Sequence, residues 1–140
     1  MKIEEQVLTI EQMNHLKELG LEFYETSLCW YLNFFSLEYD HVGINKRTKS
    51  DYLQEKRDNL SSPIPTLTLQ EILEMLPKKI EINSREYYLF INYQDGEVSY
   101  AIAEDEMFYT NMFEDIWPNT LQGVYNMLCW VIKQGYLKQE

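Results

Sequence analysis

The sequence is poor in the side chains that build zinc sites. It has two cysteines and two histidines, with neither a Cys-x-x-Cys pair nor a His-Glu-x-x-His motif. Common structural zinc sites need four Cys or His ligands in paired spacing. A Gly-rich phosphate loop and a nucleophile elbow are absent as well. We therefore expect a protein that is not an enzyme, with no metal, no cofactor and no catalytic residues.

Basic residues are also scarce. Lys and Arg together number 12 against 23 Asp and Glu, which gives a formal net charge of −11. Binding to nucleic acid and to anionic membranes depends mainly on Lys and Arg. Direct nucleic-acid binding is therefore not expected, and the unidentified partner is expected to be a protein. The oligomeric state stays open.

Long hydrophobic runs are missing. No segment approaches the roughly 18 uninterrupted apolar residues of a membrane span. The first residues, MKIEEQVLTIEQMN, carry acids where a signal peptide would carry positive charge and an apolar core. We expect a cytoplasmic protein that does not enter the membrane.

What the chain does have is enough apolar material for one globular core. It has 140 residues, of which 45% are hydrophobic, and this length suits one domain. We expect a single domain at 1–140. Within it, 1–44 form a helix and strand unit, 45–62 a charged surface loop, and 63–140 a helix-meander-helix core.

The N-terminal part predicts a helix followed by a hairpin. In TIEQMNHLKELGL, Thr9 and Gln12 fit a capping box and Gly20 fits the left-handed position after a helix. The apolar run SLCWYLNFF at 27–35 favours a buried strand, and SLEYDHVGI at 36–44 is its hairpin partner.

The segment 45–62 shows no regular apolar period and ends in Ser and Pro. Five of the twelve basic residues lie here, mixed with the acids Asp51, Glu55 and Asp58; they are Lys46, Arg47, Lys49, Lys56 and Arg57. The mixture favours a mobile surface loop, with one helical turn near 51–57, over a phosphate-binding site.

The second half predicts a helix, a meander and a longer helix. TLTLQEILEML has a capping-box pattern at Thr68 and Glu71, and Pro77 ends it. EYYLFINY and VSYAIAE flank an Asp-Gly turn, with KIEI and EMFYTNMF as outer strands. TLQGVYNMLCWVIKQGYL keeps one apolar face up to Gly135. The fold class is α+β, an antiparallel meander packed with two or three helices.

The tripeptide Leu-Cys-Trp occurs twice, at Cys29 and at Cys129. Free cysteine is among the most buried residue types, so core packing is the favoured interpretation. A disulfide is disfavoured in the cytoplasm. A catalytic thiolate would need a nearby imidazole, for which only His15 and His41 are available.

Acidic residues crowd the turns of the predicted meander. They are Asp95, Glu97, Glu104, Asp105, Glu106, Glu114 and Asp115. Carboxylates can hold Ca²⁺ or Mg²⁺, but no D-x-D-x-D-G loop is present. A carboxylate pair for glycoside hydrolysis would have to face across a cleft, which a sequence does not reveal. A solvated acidic rim is the favoured interpretation.

Eleven tyrosines and three tryptophans suggest broad aromatic surfaces. Nucleic-acid stacking platforms combine aromatics with a basic groove, whereas EYYLFINYQDGEVSYAIAEDEMFY combines them with acids. Packing is the first interpretation. Any aromatic excess on the surface would form a protein-binding patch.

Three segments carry a resemblance to known proteins. They are LTIEQMNHLKELGLEF…SLCWY, PTLTLQEILEMLP and YNMLCWVIKQGYLK. Their order resembles a group of small proteins of unknown function encoded by bacterial phages and prophages. The second half is also similar in element order to phage helix-sheet-helix sandwich domains. The resemblance covers most of the chain outside 36–62 and carries over no functional residue.

Three functions follow as hypotheses. The first is a phage or mobile-element accessory protein that acts by binding another protein. The second is an acidic inhibitor whose carboxylates imitate DNA phosphates, for which the net charge of −11 is suitable. The third, which the sequence favours least, is a metal-assisted hydrolase using Glu104, Asp105, Glu106, Glu114 or Asp115.

Overall fold

The structure is a computed structural model. It describes the backbone of residues 2–58, 62–94, 97–105, 108–116 and 119–137, and the side chains of 2–54, 62–94, 97–101 and 119–137. The chain folds into two compact units, unit 1 at Met1–Thr68 and unit 2 at Leu69–Glu140. Both units combine helices with an antiparallel sheet, so the predicted α+β class is confirmed.

Unit 1 contains a 3₁₀ helix, two α-helices and a three-stranded sheet. Its elements are the 3₁₀ helix Ile3–Glu5, α1 (Ile10–Glu18), β1 (Leu28–Asn33), β2 (Glu38–Ile44), α2 (Lys49–Asp58) and β3 (Ile64–Thr66). The strand order is β2-β1-β3, with both neighbours of β1 antiparallel to it.

Helix α1 begins and ends where the sequence indicates. The Thr9 hydroxyl accepts a hydrogen bond from the Gln12 amide at 3.1 Å, and the Gln12 side chain accepts one from the Thr9 amide at 2.8 Å. At the other end Gly20 has φ 102°, and the Leu21 amide donates to the Leu16 carbonyl. This Schellman-type ending pairs carbonyls that the last turn would otherwise leave free.

The first hairpin is confirmed, but its extent differs from the prediction. Strand β1 stops at Asn33, and residues 34–37 form the turn that leads into β2. The prediction that all of 27–35 is a buried strand is therefore wrong for Phe34 and Phe35, which are exposed. A continuous apolar run does not reveal where a chain reverses direction.

The predicted loop at 45–62 is largely a helix. The Thr48 hydroxyl accepts from the Asp51 amide at 3.2 Å, and the Asp51 carboxylate accepts from the Thr48 amide at 2.9 Å. This is a capping box with Asp in place of Glu, and it starts α2. Tyr52, only 2% exposed, anchors the helix in the core.

The segment after α2 belongs to unit 1 rather than to the second half. Strand β3 pairs with β1, placing Pro65 opposite Cys29. Proline is tolerated there because β3 is an edge strand, where the missing amide hydrogen is not needed. The boundary between the units consequently falls after Thr68 and not at residue 63.

The backbone of Leu8 forms hydrogen bonds to three residues in the core of unit 1. Its carbonyl oxygen accepts hydrogen bonds from the Trp30 indole at 2.9 Å and from the Thr66 hydroxyl at 2.7 Å. The Leu8 amide donates to the Leu67 carbonyl at 3.0 Å. These bonds tie the N-terminal segment to β1 and β3.

Unit 2 contains the predicted helix, meander and helix. Its elements are α3 (Leu69–Met75), β4 (Lys79–Ile82), β5 (Arg85–Asn92), β6 (Glu97–Asp105), β7 (Phe108–Ile116) and α4 (Thr120–Gln134). The strand order β4-β5-β6-β7 confirms the meander. The predicted Asp95-Gly96 turn lies outside the described residues.

Helix α4 packs on β6, one of the two inner strands of the meander. It packs against α3 and β6, and the Trp130 ring lies 6.1 Å from the ring of Tyr100 on β6. Its end is a left-handed Gly135 at φ 78°, after which Tyr136 folds back so that its ring lies 5.7 Å from that of Trp130. Within the described residues, no helix combines the length and apolar character that crossing a membrane requires.

Candidate functional site

Both cysteines lie in the cores, as predicted. Cys29 is fully buried on β1, and Cys129 is 7% exposed on α4. Neither forms a disulfide. Burial raises the pKa of the Cys129 thiol, which disfavours the thiolate that nucleophilic chemistry needs.

Tyrosines surround the Cys29 thiol. A hydrogen bond with its side chain raises the pKa of Tyr31, and it also contributes to the raised pKa of Tyr52, whose main cause is burial. The Tyr31 hydroxyl donates to the Ile44 carbonyl at 2.7 Å, and the Tyr52 hydroxyl donates to the Asn45 side chain at 2.8 Å. Two phenols therefore lie beside this buried thiol.

The two histidines lie on the surface of unit 1. His15 Nδ1 is 3.8 Å from the Glu18 carboxylate, and His41 Nδ1 is 2.9 Å from the Asp40 carboxylate. The His41 ring stacks on Tyr31 at 5.8 Å. The hydrogen bond with His41 is the main cause that lowers the pKa of Asp40. His41 therefore contacts two residues of the first hairpin, Asp40 and Tyr31, at the surface of unit 1.

The acidic candidates lie largely beyond the described side chains. Glu97 begins β6, whereas the side chains of the others are outside the described part; those are Asp95, Glu104, Asp105, Glu106, Glu114 and Asp115. Among described residues, no group of three or more His, Cys, Asp or Glu is arranged to hold a metal ion. The acidic rim, the DNA-mimic face and the metal-assisted hydrolase stay predictions.

The most exposed apolar feature of unit 1 is the turn between β1 and β2. We call residues 34–37 the hairpin tip. Phe35 is 100% exposed, and Phe34 and Leu37 are each 74% exposed. Single exposed apolar residues are ordinary on a protein surface, but here three large ones occur within one four-residue turn.

The hairpin tip is held in shape by Asn33. Its side-chain oxygen accepts from the Phe35 amide at 2.9 Å and from the Ser36 amide at 3.4 Å. Its side-chain nitrogen donates to the Asp40 carboxylate at 2.9 Å. The phenylalanines therefore project from an ordered turn, and an ordered group loses less entropy when it binds.

Leu37 adopts a backbone conformation that its side chain disfavours. Its φ is 60°, and its amide donates to the Asn33 carbonyl at 2.7 Å. A non-glycine residue in the left-handed region costs about 1–2 kcal/mol. With its side chain 74% exposed, burial within the chain does little to offset this cost.

A cavity of about 270 Å³ opens in unit 1 between α1, α2, β2 and the segment 62–65. We call it the tyrosine cavity. About half of its lining residues carry rings, namely Phe23, Tyr24, Tyr39, Tyr52, Pro63 and Pro65, and Asn14, Lys17, Glu22 and Ser62 add polar groups. Cavities that bind small groups are typically apolar with a few polar groups, and this one has that character.

The tyrosine hydroxyls of the cavity are already used within the chain. Tyr39 donates to the Ser62 carbonyl at 2.8 Å, Tyr52 donates to Asn45, and Tyr24 donates to the Glu22 carboxylate. A guest therefore meets ring faces and edges more than unsatisfied donors. Such a lining suits an apolar guest.

One lysine lines the cavity, and a second lies against the ring of one of its lining residues, Tyr24. Lys17 pairs with Glu22 at 3.3 Å, and the Lys49 ammonium lies 5.5 Å from the centre of the Tyr24 ring. Lys49 belongs to the basic segment that the sequence singled out. Part of that segment thus lies beside an aromatic cavity.

Sequence reasoning found neither the hairpin tip nor the tyrosine cavity. The apolar run that Phe34 and Phe35 continue predicts a buried strand at the tip. The cavity joins Tyr24, Tyr39 and Tyr52 from three separate segments, and only the folded chain brings them together. The one available signal was Thr48-x-x-Asp51, which predicts the start of α2 and hence the inward position of Tyr52.

Comparison with known proteins found no matching protein-family model, no matching curated protein and no matching solved structure.

Proposed function

We propose that this chain is a cytoplasmic, non-enzymatic accessory protein of a phage or mobile element that acts by binding a protein partner. The observation that carries the proposal is the hairpin tip, in which Phe34, Phe35 and Leu37 are all at least 74% exposed. Aromatic residues are enriched at protein interfaces and often dominate their binding energy.

The order of the turn supports the same proposal. Asn33 fixes the tip through its hydrogen bonds to the Phe35 and Ser36 amides. Leu37 keeps a strained φ of 60° that gains little from packing in the isolated chain. Strained backbone clusters at binding and switch regions, where the strain contributes to function.

A protein partner is favoured over a lipid surface by charge. The tip leads directly into Glu38 and Asp40, and the segment 28–45 contains no Lys or Arg. Insertion of a hairpin into an anionic membrane is normally assisted by basic residues. Carboxylates beside the apolar tip suit a partner pocket with a basic rim instead.

Site-specific photo-crosslinking tests the proposal. A photo-reactive phenylalanine analogue replaces Phe35 in one variant and Tyr93, an exposed residue of unit 2, in the control. Both are irradiated in lysate of the encoding organism and, separately, with vesicles of mixed neutral and anionic lipid. We expect one discrete protein adduct at position 35, none at position 93, and no lipid adduct.

Competition defines the specificity of that adduct. Excess wild-type protein should abolish an adduct to a different protein, and excess Phe34→Ser/Phe35→Ser protein should leave that adduct unchanged. An adduct between two copies of this chain, which forms with the purified protein alone and persists with either competitor, would identify a second copy as the partner. A diffuse set of adducts shared by both positions, or labelling by lipid, would show that the tip is not a protein-binding surface.

A further inference from the structure

Unit 1 has both an exposed apolar turn, the hairpin tip, and a largely apolar cavity, the tyrosine cavity. A cavity of roughly 150 Å³ accommodates a benzene ring, so the 270 Å³ of the tyrosine cavity has room for one phenyl ring and part of a second. Building on the proposed function, we infer that the partner of the hairpin tip is a second copy of this chain. The tip of each copy enters the tyrosine cavity of the other.

The chemistry of the cavity selects an apolar guest. The hydroxyls of Tyr24, Tyr39 and Tyr52 already donate to oxygens of the same chain. A guest that brought polar groups would find few partners for them and would lose its water without compensation. The hairpin tip brings two phenyl rings and an isobutyl group.

Local charges make this contact favourable between two acidic copies. The tip is followed by the exposed carboxylates of Glu38 and Asp40. The cavity is lined by Lys17, which is paired with Glu22, and Lys49 lies against the Tyr24 ring. Unit 1 holds seven of the twelve basic residues of the chain. Opposite charges at the rim of an interface steer association and offset the repulsion between net charges.

The hairpin tip and part of the tyrosine cavity belong to the same hairpin, and this arrangement favours a closed two-fold dimer. Tyr39 lines the cavity and lies two residues after Leu37 of the tip, so both features belong to one hairpin. A reciprocal exchange repeats the same contact about a two-fold axis, which closes the assembly at two copies.

The area suits a weak, reversible pair. Three large side chains that are at least 74% exposed present roughly 400 Å² of surface at each tip. Because each cavity has room for one phenyl ring and part of a second, the two reciprocal contacts bury about 1,000 Å² at most, which is the lower end of the range for specific interfaces.

Sedimentation of the full chain over a wide concentration range tests the inference with three variants. Phe35→Ser removes one ring of the hairpin tip and leaves the core unchanged, because Phe35 is fully exposed. Asn14→Trp, at an exposed position of α1 that lines the tyrosine cavity, fills part of that cavity. Tyr93→Ser in unit 2 is the matched surface control.

We expect the wild type and Tyr93→Ser to form dimers. Phe35→Ser and Asn14→Trp should each weaken dimerisation by about 30-fold or more, as the loss of an interface hot spot does. Mixing the two weakened variants should restore part of the pairing, since only the mixed pair contains one contact between an intact tip and an intact cavity. Circular dichroism establishes that both variants are folded.

Three results would overturn the inference. They are a monomeric wild type at every concentration, a Phe35→Ser variant that dimerises as the wild type does, and a mixture that fails to recover. A monomeric wild type combined with a discrete adduct at position 35 would reject self-association and retain the proposed function. Dimers without any adduct at position 35 would place the interface elsewhere and reject both.

Discussion

Tyr100 shows how a single buried hydroxyl affects unit 2. It is fully buried on β6, and its hydroxyl donates to the Pro77 carbonyl at 2.7 Å. Burial raises its pKa above the ordinary value of 10.0. The folded state therefore favours the neutral phenol, so this stabilisation is complete below pH 10 and is lost as the pH rises towards the folded pKa. Burial also raises the pKa of Tyr125.

The variant Tyr100→Phe tests this linkage. At pH 7 it should lower the free energy of unfolding by about 1 kcal/mol, because the hydrogen bond to Pro77 is lost. Above pH 10 its stability should fall less steeply than that of the wild type, since one titrating group is gone. Urea unfolding from pH 7 to the alkaline limit measures both effects. Equal slopes for the wild type and the variant would mean that Tyr100 does not contribute to the alkaline loss.

Replacing Leu37 with glycine should stabilise the protein, whereas truncating a core residue destabilises it. Leu37→Gly relieves a φ of 60° while losing little burial, so the free energy of unfolding should rise by up to about 1 kcal/mol. Leu37→Ala keeps the strain and should give no gain. Crosslinking from position 35 should decrease in both variants. Destabilisation by Leu37→Gly would show that the leucine side chain supports the fold of unit 1.

At the residue scale the sequence predicts burial well where a residue type has one dominant tendency. Cys29 and Cys129 lie in the cores as expected. Phe34 and Phe35 have the same general tendency but are exposed, because the chain turns immediately after Asn33. Burial depends on where the chain turns, and the residues that hold this turn are Asn33 and Ser36 rather than the usual glycine or proline.

Elements were predictable where both ends carry a chemical signal. Helix α1 has its capping box and its glycine, and the meander strands have their aromatic and β-branched residues. The weak apolar period of helix α2 predicts a loop, although Thr48 and Asp51 cap the start of a helix there. Strand β3 does not follow from the sequence, because Pro63 just before it and Pro65 within it disfavour a strand on local grounds.

The end of α4 provides a test of element-scale reasoning. Gly135 has φ 78°, and a Cβ atom added there would meet nothing within 4 Å. Gly135→Ala should therefore lower the free energy of unfolding by about 1 kcal/mol through backbone strain alone. Gln134→Ala, one residue earlier in ordinary helix, should change it by less than about 0.5 kcal/mol. Chemical denaturation followed by circular dichroism compares them, and equal effects would exclude the left-handed position as the cause.

The pairing of distant segments at the scale of the whole molecule could not be derived from the sequence. Val7 bridges to Thr68, and β3 joins β1 across more than thirty intervening residues. Local propensities do not specify which strands meet, because the choice depends on tertiary packing. The two-unit division at Thr68 follows from these pairings.

The charge of the whole molecule leads to a prediction about nucleic acids. With 23 acidic and 12 basic residues, the chain should not bind a labelled single-stranded or duplex DNA in fluorescence anisotropy at physiological salt. The basic segment around Lys46 and Arg47 should not change this result, because Asp51 lies within it. Binding that weakens with added salt and disappears in Lys46→Ala/Arg47→Ala would contradict the prediction and assign that segment to phosphate recognition. Flat titrations for both proteins would leave the apolar hairpin tip as the main recognition feature of unit 1.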